Sequence, residues 1–117
     1  MTNCRNRKKL PEKYRIVADS IRVGKQNAIL LSDIMIIADI QDRRNGYLII
    51  EELINKHGYV IGASKKGVHR GYYIPADERE FQEVARTFKQ SVDSMHKRYR
   101  SLLDNYKVVS GGGGGNQ

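Results

Sequence analysis

Cys4 is the only cysteine in the chain, so no intramolecular disulfide can form, and a reducing intracellular setting fits. Long apolar runs are missing too. The longest, residues 34–38, is far too short to span a bilayer, which removes a membrane from the expected partners. The basic N-terminus is not followed by the apolar stretch that a signal peptide needs. His57, His69 and His96 are scattered and Cys4 stands apart, so no zinc-type spacing exists and no metal or cofactor is expected. Gly24-Lys25 and the C-terminal glycines lack the spacing of a P-loop or a dinucleotide fingerprint. The acids are spread out, no nucleophile is flanked by a base, and no internal repeat is visible. The pattern argues against an enzyme and names no catalytic residue.

What is present is positive charge, placed unevenly. The formal net charge is +8 over 117 residues, which calls for an anionic partner, most simply nucleic acid. An acidic protein or an anionic membrane surface would also answer the charge. Residues 1–10 carry Arg5, Arg7, Lys8 and Lys9 and no acid. Residues 60–74 carry Lys65, Lys66 and Arg70, again with no acid. Residues 75–106 are neutral, with six charges of each sign. Solubility alone would not require that segregation.

Residues 1–10 are expected to be a basic flexible arm that adds phosphate contacts or enters a minor groove. Residues 11–23 predict a helix: Pro11 suits its first turn, Tyr14, Val17, Ala18 and Ile21 share one face, and Gly24 is a good stop. Residues 28–30 suggest a very short strand that pairs with a later hairpin. Ser32 is the expected N-cap of a second helix, with Asp33 in its first turn. Because residues 34–40 are nearly all apolar, this helix is expected to be buried on most sides.

The third helix has two possible starts. Either Asp42 is its N-cap and Arg43 and Arg44 fill its first turn, or the second helix runs on to Arg44 and the chain turns at Asn45-Gly46. The first is favoured; Asn-Gly is nonetheless a strong turn pair. In both cases Ile49, Ile50 and Leu53 face the core, and Arg43, Arg44, Tyr47, Glu51 and Asn55 are left for the outer side. His57-Gly58 closes the helix. Residues 59–63 and 71–74 read as two short strands, with Gly67 bending the tip between them and Pro75 ending the second. One of Tyr72 and Tyr73 should face inward and the other outward.

Residues 76–106 predict one helix of about 30 residues, or about 45 Å. Asp77, Glu78, Glu80 and Glu83 sit at its start, with Lys97, Arg98 and Arg100 near its end, as the helix dipole prefers. Phe81, Val84, Phe88, Val92, Met95, Tyr99, Leu102 and Tyr106 form a continuous apolar stripe. Either the far half pairs with a second chain through Phe88, Val92, Met95, Tyr99, Leu102 and Tyr106, giving a homodimer, or it folds back as core. Pairing is the favoured expectation. Residues 108–117 read as a glycine-rich flexible tail, native or appended.

A helix with a cationic first turn, followed by a cationic hairpin tip, suits a duplex: the helix enters the major groove and the hairpin reaches the backbone. Five short motifs carry a family resemblance: "EEL" at 51–53, "HGY" at 57–59, "SKKG" at 64–67, "GYYIP" at 71–75, and the acidic pair Asp77 and Glu78. With them, residues 28–106 resemble the small winged helix-turn-helix proteins of Gram-positive phages and prophages. The sequence departs from that pattern at Asn45-Gly46, where such proteins usually have an apolar helix residue, and at residues 68–70, which lengthen the wing.

The expected architecture is mainly α with a small β-hairpin. A winged helix-turn-helix domain spans residues 11–75 and a long C-terminal dimerisation helix spans 76–107. The resemblance implies binding of double-stranded DNA in phage gene control or replication, as a transcription regulator or replication-origin binder in the cytoplasm of a bacterial host. Arg43, Arg44, Tyr47 and Asn55 would meet the groove; Lys65, Lys66, His69 and Arg70 would meet the backbone; Arg5, Arg7, Lys8 and Lys9 would add non-specific attraction. The alternative is a phage protein that binds and inhibits a host protein through the long helix.

Overall fold

The structure, a computed structural model, describes residues 10–111. They are mainly helical, with one two-stranded antiparallel hairpin and a long C-terminal helix. The elements run α1 (Glu12–Ser20), a 3-10 turn (Lys25–Asn27), α2 (Leu31–Ala38), α3 (Arg43–His57), β1 (Gly62–Ser64), β2 (Gly71–Tyr73) and α4 (Glu78–Tyr106). After α4, residues Lys107–Gly111 form one π-type turn, which from residue 108 onward lies in what the sequence reads as tail. None of the described helices is long and apolar enough to cross a membrane.

α1 is shorter than its periodicity predicts. It stops at Ser20 because Arg22 and Val23 are needed elsewhere: Ile74 N–H donates to Arg22 O and Gly24 N–H donates to Ile74 O, each at 2.8 Å, making a parallel bridge from Val23 to Ile74. Gly24 is therefore not the helix stop; its φ of 100° turns the chain into the 3-10 segment. The strand expected at residues 28–30 reduces to one antiparallel bridge. Ile29 and Tyr72 exchange both backbone bonds, at 2.9 and 2.7 Å. β1 pairs with β2 through Gly62–Tyr73 and Ser64–Gly71, so β2 is flanked on both edges. β1 begins three residues later than expected, because Tyr59 N–H is taken by Leu53 O as the α3 C-terminus closes over Gly58.

α2 departs from expectation twice. Its N-cap is Leu30, with no side-chain bond, and Ser32 lies inside the helix. Nor is it buried on most sides. Leu31, Ile34 and Ala38 enter the core, whereas Ile36 is 77% exposed and Ile37 55%. Only one face meets α1 and α3, and an eight-residue helix has no second layer to cover the other. The helix ends where Asp39 turns left-handed at φ 55°, and Lys13 Nζ donates to Asp39 O at 3.0 Å.

α3 begins at Arg43, with the Asp42 carboxylate accepting from Arg44 N–H at 3.1 Å, so Asn45-Gly46 is helical rather than a turn. Gly46 is buried there. A Cβ on it would lie 3.1 Å from Leu31 Cδ1 and 3.5 Å from Met35 Cγ. The glycine gives up about 1 kcal/mol of helix propensity relative to alanine and lets α3 close on α2. Ile49, Ile50 and Leu53 join the core as expected.

On its α1 side, α3 is tied by Tyr14, whose hydroxyl donates to Glu52 Oε1 at 2.5 Å and whose ring meets His57 edge-on. That bond above all holds the Glu52 carboxyl below its ordinary 4.5; burial opposes it, and the nearby Lys56 adds to the lowering. A depressed carboxyl stabilises the fold fully above its unfolded value and loses that contribution as pH falls through its folded one. Tyr14 is raised above 10.0, first by the same bond, so its own contribution fades only at strongly alkaline pH. Tyr14→Phe should therefore flatten the loss of urea resistance between about pH 5 and about pH 3. An identical acid profile would show that this bond does not form in solution.

α4 starts at Glu78, two residues later than the sequence suggests, because Asp77 is its cap: the Asp77 carboxylate accepts from Glu80 N–H at 2.9 Å. Glu80 is itself buried. It accepts from Ala76 N–H at 2.9 Å and from Lys25 N–H at 3.2 Å, joining two segments that are 55 residues apart. Lys25 Nζ then pairs with Glu83 at 3.0 Å, which raises the lysine pKa. Val84 lies so close to Gly62 that a Cβ there would overlap its Cγ2. Residues up to Val84 belong to one compact unit and residues from Ala85 onward form a second, so the beginning of α4 belongs with the residues before it.

Candidate nucleic-acid interface

The helical repeat of 100° per residue sorts the exposed side chains of α3 into three rows. Gly46, Ile49, Ile50 and Leu53 are buried and define the inner side. Opposite them lie Arg44, Leu48, Glu51 and Asn55, all exposed. Arg43 and Tyr47 form one flank, and Glu52 and Lys56, held by Tyr14 and by each other, form the other. Of the groove residues expected from sequence, Arg44 and Asn55 are thus outermost, while Arg43 and Tyr47 stand to one side. Leu48, 45% exposed, is a member of the outer row that the sequence reading does not single out. Its spacing of four from Arg44 and three from Glu51 is the signal that finds it.

The flank leads to the hairpin. Tyr72 is half-buried on β2, and its hydroxyl pKa is raised, first by burial and then by Tyr47, with Arg43 opposing. The first turn of α3 and the middle of β2 therefore lie within electrostatic range of each other. Tyr73, the next residue, is 2% exposed, but Tyr72 also packs against the core, so neither tyrosine faces fully outward as the alternation across the strand suggests. Beyond the strands, Lys65, Lys66, His69 and Arg70 are all exposed on the loop, where Gly67 turns with φ 82°. Val68 at the tip is 91% exposed. Among the described residues, Arg43, Arg44, Lys65, Lys66 and Arg70 form no ion pair with a carboxylate. Arg5, Arg7, Lys8 and Lys9 lie outside the described residues.

The charge at the start of α3 works against its own helix. The first turn holds two arginines and no acid, where the positive end of the dipole prefers anions. Each such cation costs the fold a few tenths of a kcal/mol up to about 1 kcal/mol, and no ion pair offsets it. The Asp42 carboxylate already caps Arg44 N–H at this end, so it is the two exposed guanidinium groups that are suited to phosphate.

Compared with protein-family models, curated proteins and solved structures, the chain matches none. Among the described residues, no three His, Cys, Asp or Glu side chains converge on a metal-sized site.

Proposed function

We propose that the chain is a double-stranded DNA-binding protein of a phage-like element, a transcription regulator or replication-origin binder in the bacterial host cytoplasm. The observation that carries the reading is the unpaired, acid-free cation set on the first turn of α3 and on the hairpin tip. The order of elements supports a winged helix-turn-helix. α2 and α3 pack together across a four-residue connection, and the hairpin follows directly, with β2 bridged back to Ile29 ahead of α2.

On this reading, Arg44, Asn55 and Leu48 enter the major groove, with Arg43 and Tyr47 at its edge. Lys65, Lys66, His69 and Arg70 hold phosphates, fixing position and affinity, while the outer row of α3 supplies discrimination. No catalytic step is assigned. Gel shifts with random duplex at several salt concentrations test the core of the proposal: binding must weaken steeply as salt rises. Salt-insensitive or absent binding would defeat it.

The arginines give a sharper test. Arg44→Glu should raise folding stability by about 0.3–1 kcal/mol, because it puts an anion at the positive end of the α3 dipole. The same change should weaken DNA binding. In Arg43→Ala or Arg44→Ala, discrimination between a preferred site and random duplex should fall by about 1–3 kcal/mol if the lost contact is bidentate to guanine. Equal losses on both duplexes would make these arginines phosphate contacts only.

A second reading, a phage protein that inhibits a host protein through its long helix, has one observation in its favour: the stripe on α4 is exposed from Phe88 to Tyr106.

A further inference from the structure

Along α4 the apolar residues follow a strict alternation of three and four. Val92, Tyr99 and Tyr106 occupy one heptad position, and Phe88, Met95 and Leu102 the other. All six are exposed in the single chain, from 54% at Phe88 to 67% at Tyr106. That regularity matters, because a seam repeating every 3.5 residues is covered by another helix with the same repeat, such as a second copy of itself. Each of the six offers on the order of 100 Å², so a pair would bury roughly 1,200 Å², the lower edge of a specific interface.

The side chains bordering the seam choose the direction. They are Lys89, His96 and Leu103 along one border and Ser91, Arg98 and Asn105 along the other, without an acid. In a parallel, in-register pair, each residue of one border faces the other chain's residue five positions further on. Ser91 then meets His96, and Arg98 meets Leu103, so no two cations oppose each other. Leu103 is 45% exposed in the single chain, and the aliphatic stem of Arg98 is suited to cover it while its charge stays in water. An antiparallel pair covering the whole exposed stripe sets Phe88 opposite Tyr106. It brings Arg98 against Arg98 across the two-fold axis, where like charges repel.

We infer that α4 forms a parallel, in-register two-stranded coiled coil with a second copy of this chain, through the seam from Phe88 to Tyr106. Like-charge avoidance selects the direction, and the heptad repeat selects the occupant. The pairing does not depend on the DNA-binding proposal, and it is measured without DNA present.

Sedimentation of the full chain at micromolar concentration should give a dimer, and Met95→Glu with Leu102→Glu should give a monomer. A monomeric unaltered chain, or a dimeric double variant, overturns the inference. Direction is read by cross-linking on a Cys4→Ser background, using oxidised glutathione. Phe88→Cys and Leu102→Cys, at the two ends of the seam, should each form disulfide-linked dimers with themselves. In an antiparallel pair Leu102 lies opposite Val92, about 15 Å along the axis from its own copy, beyond the reach of a disulfide. If Leu102→Cys links only to a Val92→Cys chain, the pair is antiparallel. If neither variant links to itself and Leu102→Cys does not link to a Val92→Cys chain, the seam belongs to another partner.

Discussion

Gly71→Ala should cost the fold about 3–5 kcal/mol, more than any other single glycine change in the hairpin. Two independent faults add. Gly71 holds φ at 124°, a conformation that a side chain strains, and its Cβ would fall 2.3 Å from the Ile29 carbonyl oxygen. That oxygen is fixed, because it accepts from Tyr72 N–H and belongs to the bridge tying β2 to the segment before α2. Relief therefore requires breaking the bridge. Gly67→Ala is the internal comparison. It also has positive φ, at 82°, but nothing lies within 4 Å of its missing Cβ, so it should cost only about 1–2 kcal/mol. Urea unfolding of the two variants measures the difference. If they lose equal stability, the Ile29–Tyr72 bridge contributes nothing.

The largest effect on binding should come from Lys65→Ala, Lys66→Ala and Arg70→Ala combined. All three side chains are exposed on a loop without acids, so their removal should leave the fold nearly untouched. If each holds one phosphate, the slope of log K against log salt should flatten by up to about 2.7, since each contact contributes about 0.9. Affinity should fall on preferred and random duplexes alike, because phosphate contacts carry no base information. Titrations of both duplexes over a range of salt concentrations separate the outcomes. An unchanged slope would take the hairpin out of the interface. A loss confined to one duplex would mean that the loop reads bases.

Much of this was legible locally. Asp42 could be read as the α3 cap because a carboxylate two residues ahead of a free N–H is a local arrangement. The inner face of α3 and the stripe on α4 were legible for a similar reason: each is a repeat along one helix. Other features depended on partners far away in sequence. The run at residues 34–38 has no polar residue to mark which face turns to water, so only the positions of α1 and α3 leave Ile36 and Ile37 outside. Gly46 read as a possible turn residue. Its reason is the space it leaves for Leu31, which no neighbouring residue announces.

The sequence by itself determined the helices, the hairpin, the acid-free cation segments and the heptad seam, because each is written in the spacing of neighbouring residues. Tertiary structure alone decided where the elements stop and which rows face out. Residues 22–24 leave α1 to bridge Ile74, Glu80 reaches across 55 residues to Lys25 N–H, and Leu48 joins Arg44 and Asn55 on the exposed row. Backbone groups that must find partners, and side chains that must find room, obey long-range geometry. A chain read one residue at a time does not contain it.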